Sequence, residues 1–547
     1  PVRVMEAAGY KIYVPPEKFL ASRTLPADTE KLWSWLENRA EKVDAAIIST
    51  DALLYGGLVA SRTHYLDPAV LEKRIKRLRD LHLDTNIRFF AFRRFSDAGN
   101  TIYRRKNSFP LVWFALPVLL ALFLQAMYGA VDLWVVGRFG SAADVSAVST
   151  GSQIMQTVTV VVTGLAMGIT ILIGQKIGER KPQEAGSVVM GGVVLFAAIA
   201  VFLTVLMQLG AVPLARLMHA PPQAFDLTVS YVRICSAGAV FIVAYNLVGS
   251  IFRGIGDSKM PLITVSIACA LNIAGDLFFV AVLRMGVAGT ALATVLSQAV
   301  SVLLSVRIIR RRELPFSLSR KSLRPGLGLC GRIIFLGVPI AFQDLLVSIS
   351  FLVILAIVNS LGLIASAGVG VAEKLCAFIM LVPSAYMQSM SAFVAQNIGA
   401  GKPGRAKRAL FCGIFSSLAA GIGMAYFSFF HGELMAALFS NDRDVIFAAA
   451  DYMRAYAIDC ILTSFLFCLI GYFNGCGRTF FVMIQGTAGA FLVRIPFSYL
   501  MSRLPGVSLF SIGLATPSST VLQIILCAGY LLLLEKWCSH IPKENLI

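Results

Sequence analysis

Hydrophobic residues follow two distinct patterns along this chain, and the patterns meet near residue 108. Before that point, short apolar runs alternate with amphipathic stretches such as DTEKLWSWLENRAEK and DPAVLEKRIKRLRDLHL. After it, apolar segments of about 20 or more residues follow one another, each long enough to cross a bilayer as a helix. The two patterns predict a short soluble α/β fragment followed by an all-α polytopic membrane region.

The membrane region contains twelve such segments, which predicts twelve transmembrane helices. With the first helix running outward, the loops placed in the cytoplasm hold 23 Lys and Arg residues and the loops placed outside hold 5. Because such a bias sets orientation, we expect a multi-pass protein of the bacterial plasma (inner) membrane with both termini in the cytoplasm. The segments begin near residues 110, 145, 186, 227, 260, 286, 333, 362, 407, 446, 479 and 509.

The membrane region is an internal duplication with an offset of 221 or 222 residues. GQKIGERKPQEA at 174–185 matches AQNIGAGKPGRA at 395–406, and FRGIG at 252 matches FNGCG at 473. Two six-helix bundles related by pseudo-two-fold symmetry are typical of transporters whose halves rock about a central site. The predicted parts are a soluble fragment at 1–107, a first lobe at 108–313, a cytoplasmic linker at 314–325 and a second lobe at 326–547.

Composition narrows the class of protein further. Hydrophobic residues make up 57% of the chain and the mean hydropathy is +0.75, which indicates an integral membrane protein. The net charge of +18 is accounted for by cytoplasmic loops, and no basic run alternates with aromatic residues, so we expect no nucleic acid partner. The chain has no HExxH motif, no GxxxxGK[ST] motif and no CxxC pair. We therefore expect neither an enzyme nor a bound metal or cofactor.

Two aspartates interrupt the apolar pattern of the first lobe. Asp132 shares one helix face with Gln125 and Tyr128. On the fifth segment, Asn272 and Asp276 are four residues apart and also share a face. A charge at the bilayer centre costs at least ~2.5 kcal/mol on insertion scales, so we expect the two carboxylates to share a polar cavity, where one of them can hold a proton. This arrangement predicts a cation-coupling site.

An ion pair inside the membrane is the alternative role for these acids. Arg233 is the base near enough to Asp132 to neutralise it. The repeat argues for coupling instead, because the residues that match Asp132 and Asp276 in the second half are Val353 or Ile354 and Ser498. Scaffold residues are duplicated and the acidic pair is not, which indicates a task particular to the first lobe.

The second lobe has acids of its own inside predicted spans. We expect bases to neutralise them, Glu373 by the adjacent Lys374 and Asp459 by Arg494 or Arg454. No role is predicted for Asp344.

The membrane region resembles the multidrug and toxic compound extrusion (MATE) family of secondary transporters over residues 108–540. The resemblance is carried by FALPVLLALFLQAMYGAVDLWVVGRFG, QKIGERKP, FRGIGDSKMP, NIAGD and QNIGAGK. It implies export of organic cations or other amphipathic compounds in exchange for H+ or Na+ through alternating access. A lipid-linked oligosaccharide flippase, from a related two-lobed class, is the alternative, although its anionic cargo calls for a cavity rich in bases.

The resemblance also implies roles for individual residues. Asp132 matches an acid of the first helix implicated in cation coupling, and Asn272 with Asp276 matches an N-x-x-x-D pair. Sodium-coupled members carry second-lobe acids where this chain has Val347 and Thr463, which favours coupling in the first lobe. The implied partners are small amphipathic or cationic substrates and the lipid bilayer, and we expect a monomer. The polar cavity residues implied for the first lobe are Gln125, Tyr128, Asn246, Asn272 and Thr294.

Residues 1–107 carry a separate signal. DALLYGGLVASR at 51–62 resembles the start of an uncharacterised bacterial family of soluble α/β proteins. Three predicted strands and two helices are too few to bury a sheet on both faces. We therefore expect an incomplete domain that is a fusion or an artefact, with an enzyme tethered to a carrier as the alternative.

Overall fold

A computed structural model describes most of the membrane region and parts of the N-terminal fragment. The chain divides into two units, Pro1–Gly99 and Asn100–Ile547. Most of the predicted linker and all of DALLYGGLVASR lie outside the described residues. The described residues are 12–16, 19–20, 28–40, 43, 45–49, 68–84, 88–92, 110–311, 314, 316 and 327–540.

The first unit contains two helices and two parallel strands among its described residues. Strands β1 and β2 pair from Ala45 with Arg88 to Ser49 with Phe92. The predicted strand within YKIYVPP is wrong for residues 12–16, because adjacent prolines there lack the N–H groups that a strand ladder needs. The elements are α1 Thr29–Ala40, β1 Ala45–Ser49, α2 Pro68–Asp84 and β2 Arg88–Phe92.

Arginine side chains of α2 connect the two helices of this unit. Arg77 on α2 donates hydrogen bonds to Glu37 on α1 at 2.6 and 2.8 Å, and its guanidinium lies 5.0 Å from the ring of the buried Trp33. The bonds to Glu37 raise the pKa of Arg77 above its ordinary value. A second arginine of α2, Arg74, donates a hydrogen bond to Thr29 Oγ1 on α1 at 2.9 Å, so several side-chain contacts join α1 and α2.

The second unit contains eleven apolar helices long enough to cross a membrane and one bent helix pair that makes a twelfth, within the described residues. Each begins within about five residues of its predicted start. We number these segments as spans 1 to 12. Their bounds are Leu111–Phe139, Ala142–Gly178, Pro182–Leu217, Pro222–Ala237 with Ala239–Ile255, Lys259–Val282, Gly286–Arg311, Gly328–Asn359, Leu363–Gly399, Pro403–Phe430, Arg443–Gly475, Thr479–Ser502 and Leu509–Leu534.

Several spans depart from a regular α-helix. Span 4 bends by 54° at Gly238, where a Cβ would overlap the side chain of Val295 in span 6. Only glycine permits this close approach, and helices commonly kink at such residues. A short helix, Gly432–Ala436, precedes span 10. The other departures are π-helical segments at Leu277–Val282 in span 5 and Gly489–Arg494 in span 11, and joints between Leu363–Ile379 and Leu381–Gly399 in span 8 and between Leu509–Gly513 and Ala515–His540 in span 12.

Two clusters of buried apolar side chains each stay within one lobe. One includes Val135, Ala211 and Val232, and the other includes Val358 and Tyr452. Both lie toward the ends of the spans that we placed outside. The face on which span 1 begins and span 12 ends is called the predicted cytoplasmic face below.

Two further clusters cross the boundary between the lobes. Leu111 and Val118 of span 1 pack with Met390 of span 8, and Ile333 of span 7 packs with Ile169 of span 2. Spans 1 and 7 correspond in the repeat, so the two exchanges are related by the pseudo-two-fold axis. All of these side chains lie on the half nearer the predicted cytoplasmic face. Apolar packing between the two lobes is therefore found on that half.

Candidate functional site

The site centres on two carboxylates from spans 1 and 5. Asp132 is 5% exposed and Asp276 is fully buried. The Asp132 carboxyl faces Asp276 and Asn272. From span 6, Thr294 Oγ1 donates a hydrogen bond to Asp132 Oδ2 at 3.5 Å. Asp276 ends the α-helical part of span 5 and is followed by the π-helical segment, an irregularity that is frequent at functional sites.

Hydrogen bonds within the chain do not satisfy this group. Asp132 Oδ1, both oxygens of Asp276 and both polar side-chain atoms of Asn272 are buried and accept or donate no hydrogen bond within the part of the chain that the structure describes. The alternative in which Arg233 neutralises Asp132 is wrong, since the Arg233 side chain is exposed and makes no ion pair with Asp132. Two facing carboxylates repel each other, and a proton or a small cation between them would remove the repulsion and use the free lone pairs.

Two of the predicted polar residues, Gln125 and Asn246, lie away from the acidic pair. Gln125 of span 1 and Asn246 of span 4 line a cavity of about 70 Å³ nearer the predicted cytoplasmic face, together with Gln388 of span 8. Asn246 is fixed there, because its Oδ1 accepts a hydrogen bond from Thr163 Oγ1 at 2.9 Å and its Nδ2 donates to the Ile242 carbonyl at 2.9 Å. Gln125 and Asn246 are therefore separated from the facing carboxylates, although the resemblance implied that all of these residues line one polar cavity. The predicted residues that do not line this cavity are Tyr128, Asp132, Asn272, Asp276 and Thr294.

Tyr128 lies between the acidic pair and this cavity. Its side chain is beside Gln125 and Gln298, with Asp132 nearby. Gln298 was not predicted, although it follows Thr294 by four residues in span 6 and helical spacing could have identified it. Thr163 could not have been found in this way, because its contact with Asn246 joins residues 83 apart in the chain.

The buried acids of the second lobe do not form the predicted ion pairs. Asp459 Oδ1 accepts a hydrogen bond from Thr520 Oγ1 at 2.6 Å. Arg494 instead donates to Ser350 Oγ at 3.1 Å, and its guanidinium lies 4.5 Å from the ring of Phe351. The other candidate base, Arg454, is exposed.

Glu373 also lacks the predicted partner. Its Oε1 is buried without a hydrogen bond, whereas Lys374 is exposed. Adjacent residues on an α-helix point about 100° apart, so the two side chains leave the helix in different directions. Asp344 is partly buried in span 7.

The duplicated motifs meet where the lobes touch. Gln175 Nε2 of span 2 donates to the Gly475 carbonyl at 3.4 Å, and Gln396 Nε2 of span 8 donates to the Gly254 carbonyl at 2.9 Å. Gly254 and Gly475 occupy the same place in FRGIG and FNGCG. Each glutamine therefore binds the repeat-related glycine of the opposite lobe, and we call Gln175 and Gln396 the interlobe glutamines.

Two glycines allow the helices that carry the interlobe glutamines to touch. A Cβ at Gly178 would overlap the carbonyl oxygen of Gln396, and a Cβ at Gly399 would overlap the carbonyl oxygen of Gln175. These are again repeat-related positions. The backbones of spans 2 and 8 are thus in direct contact on the predicted cytoplasmic half.

Comparison with known proteins decides the family. The family model described as MatE matches residues 117–278 and 339–500, one match in each half of the duplication. The chain belongs to the MATE family. A second family model, described as a protein of unknown function (DUF4127), matches residues 1–97, in agreement with the resemblance noted for the N-terminal fragment.

Relatives and solved structures agree with this assignment. The chain is 27% identical to the probable multidrug resistance protein YpnP of Bacillus subtilis (strain 168), covering 74% of this chain and 90% of that protein. It is 25% identical to the FAD transporter of Shewanella oneidensis, covering 76% and 92%. It shares the fold of a MATE protein in a bent conformation, with a TM-score of 0.75, 20% identity and coverage of 82% and 100%. The predicted fold class is therefore confirmed, and the chain is a multi-pass MATE membrane transporter.

Proposed function

We propose that this MATE transporter exports organic cations or other amphipathic compounds by antiport with H+ or Na+, coupled at Asp132 and Asp276. We place it in the bacterial plasma membrane as a monomer with both termini in the cytoplasm. The observation that carries the proposal is the facing pair of buried carboxylates, whose free oxygens have no base beside them. No cofactor other than the coupling ion is required, and no catalytic step is involved.

The acidic pair supplies a reason for exchange. A proton or Na+ at the pair neutralises charge that is otherwise costly inside a membrane. A cationic substrate is attracted to the same carboxylates, so the coupling ion and the substrate compete for one site. Because each can bind only after the other has left, a carrier that presents the pair alternately to the two sides performs antiport.

The interlobe contacts suggest how access would alternate. The repeat-related contacts of the interlobe glutamines join the lobes on the predicted cytoplasmic half. We propose that breaking these contacts opens the pair to the cytoplasm, and that forming them leaves access from the other side. The flippase alternative is not favoured, because the family match and the relatives named as multidrug resistance proteins support drug efflux.

The replacement Asp132→Asn tests this proposal. The amide keeps the size of the side chain and removes the group that binds a proton or Na+, so we expect ion-driven efflux of ethidium from cells to fall to the background of cells without the protein. The measurement is the rate of ethidium efflux after energisation, normalised to protein in the membrane fraction.

The matched control is Asp226→Asn, which makes the same chemical change at an exposed position of span 4 in the same lobe. We expect this variant to retain wild-type efflux. Undiminished efflux by Asp132→Asn at normal membrane levels would reject coupling at the acidic pair.

A further inference from the structure

Arg253 is a base in the first lobe that no acid among the described residues neutralises. It lies at the predicted cytoplasmic end of span 4 and lines the cavity of about 70 Å³. Its Nη2 donates to Ser250 Oγ at 2.8 Å, and its Nε is buried without a partner. The nearest acid along the chain, Asp257, instead accepts from the backbone N–H groups of Lys259 and Met260. Within the described residues, Arg253 makes no ion pair.

An arginine in this setting favours an anion. A charge withdrawn from water is costly unless it is paired, and natural proteins pair nearly all such charges. The guanidinium offers five N–H donors in a planar fork that matches the oxygens of a carboxylate or a phosphate. Ser250 Oγ accepts from Nη2, which leaves the buried Nε of Arg253 without an acceptor.

The cavity beside Arg253 has the polarity and size for such a group. The side chains of Gln125, Gln388 and Tyr245 line it and can each donate a hydrogen bond. Its volume of about 70 Å³ corresponds to about five water positions, far below the space that a drug-sized ligand occupies. It can therefore hold one carboxylate or phosphate group, with the rest of the ligand elsewhere.

The repeat shows that the fold does not require this charge. The residue that matches Arg253 in FNGCG is Asn474, which is buried. A neutral side chain is thus sufficient at the same place in the second lobe. As with the acidic pair, the charge is present in one lobe only.

We propose that Arg253 and this cavity bind a carboxylate or phosphate group of an amphipathic molecule. The group belongs either to a dissolved anion or to the headgroup of a phospholipid. Its assignment to transported cargo rests on the proposed function, whereas its binding does not depend on ion coupling. The first lobe then carries two subsites of opposite charge, the acidic pair and Arg253, and accepts amphipathic zwitterions as well as cations.

The test compares Arg253→Asn, which installs the residue of the second lobe, with Arg233→Asn, which removes an exposed arginine from the same span. Purified full chain in detergent is titrated with inorganic phosphate at constant ionic strength, and binding is followed by broadening of the 31P resonance. In a parallel arm, the proteins are isolated from vesicles of phosphatidylcholine and phosphatidylglycerol, and retained lipids are identified by native mass spectrometry. Neither arm uses an ion gradient or a dye, so its result is separate from that of Asp132→Asn.

We expect the wild type and Arg233→Asn to bind phosphate equally and Arg253→Asn to bind it at least about tenfold more weakly, the loss expected for hydrogen bonds to a charged group. Selective retention of phosphatidylglycerol that only Arg253→Asn loses would identify the lipid headgroup as the source. Equal behaviour of all three proteins in both arms would overturn the proposal. If Arg253→Asn does not fold, Arg253→Gln takes its place with the same expected loss.

Discussion

The two lobes of this transporter share the residues of their mutual contact and differ in the charged residues that they bury. At the contact between them, Gln175 and Gln396 correspond, as do Gly178 and Gly399. Inside the lobes, Asp132 and Asp276 of the first have no acidic counterparts in the second. The residues that form the contact between the lobes are therefore the same in both repeats. The polar residues inside each lobe differ between the repeats.

The matched spans 4 and 10 show the same divergence in the backbone. Span 4 bends by 54° at Gly238, whereas span 10 runs unbroken as Arg443–Gly475 and carries Asp459 at the matching position. Asp459 accepts its hydrogen bond from Thr520 inside one lobe. The same repeat position is therefore a helix bend at Gly238 in the first lobe and a hydrogen-bonded carboxyl, Asp459, in the second.

The largest difference in efflux between matched variants of the two lobes should come from substitution of their buried acids. We expect Asp276→Asn to reduce ion-driven efflux at least about tenfold, because the remaining carboxylate no longer has a partner with which to hold the coupling ion. Asp459→Asn should reduce it less than about threefold, since an amide oxygen can still accept from Thr520. Efflux of ethidium per unit of membrane protein measures both variants, and the reverse order of effects would contradict the assignment of coupling to the first lobe.

Substitution of the two repeat-related glycines at the interlobe contact should destabilise the protein equally. Gly178→Ala and Gly399→Ala each place a Cβ against a carbonyl oxygen of the opposite span, so we expect each to lower the free energy of unfolding by about 1 to 3 kcal/mol. Thermal unfolding of the purified protein measures the effect. Gly423→Ala is the control, because nothing lies within 4 Å of its added Cβ. A loss confined to one of the two variants would show that the contact is not symmetric.

Effects on transport smaller than that of Asp276→Asn should come from the interlobe glutamines. Gln175→Ala and Gln396→Ala each remove the hydrogen bond to the glycine of the opposite lobe, worth about 0.5 to 1.5 kcal/mol, so we expect transport rates to change about two- to tenfold. The change should be greater for Gln396, whose bond is 2.9 Å long against 3.4 Å for Gln175. A larger effect at Gln175 would mean that the shorter bond does not hold the lobes together.

The sequence predicted the spans well because hydropathy and loop charge act over whole segments. It also predicted that Asp132 and Asp276 face each other, since each shares a helix face with other polar residues. It did not predict that Gln125 and Asn246 line a cavity away from the acidic pair, because helix rotation and lobe contact determine which faces meet. The second-lobe ion pairs were wrong for a related reason, as Arg494 turns toward Ser350 and Phe351 while Asp459 binds Thr520.

The most direct test of coupling in the first lobe is substrate transport by the purified protein in proteoliposomes. An imposed pH gradient and an imposed sodium gradient are compared for the wild type and Asp132→Asn, together with substrate exchange in the absence of any gradient. We predict that at least one gradient drives accumulation by the wild type, and that neither drives it in Asp132→Asn while exchange continues. Accumulation driven by either gradient in Asp132→Asn at the wild-type rate would contradict the account.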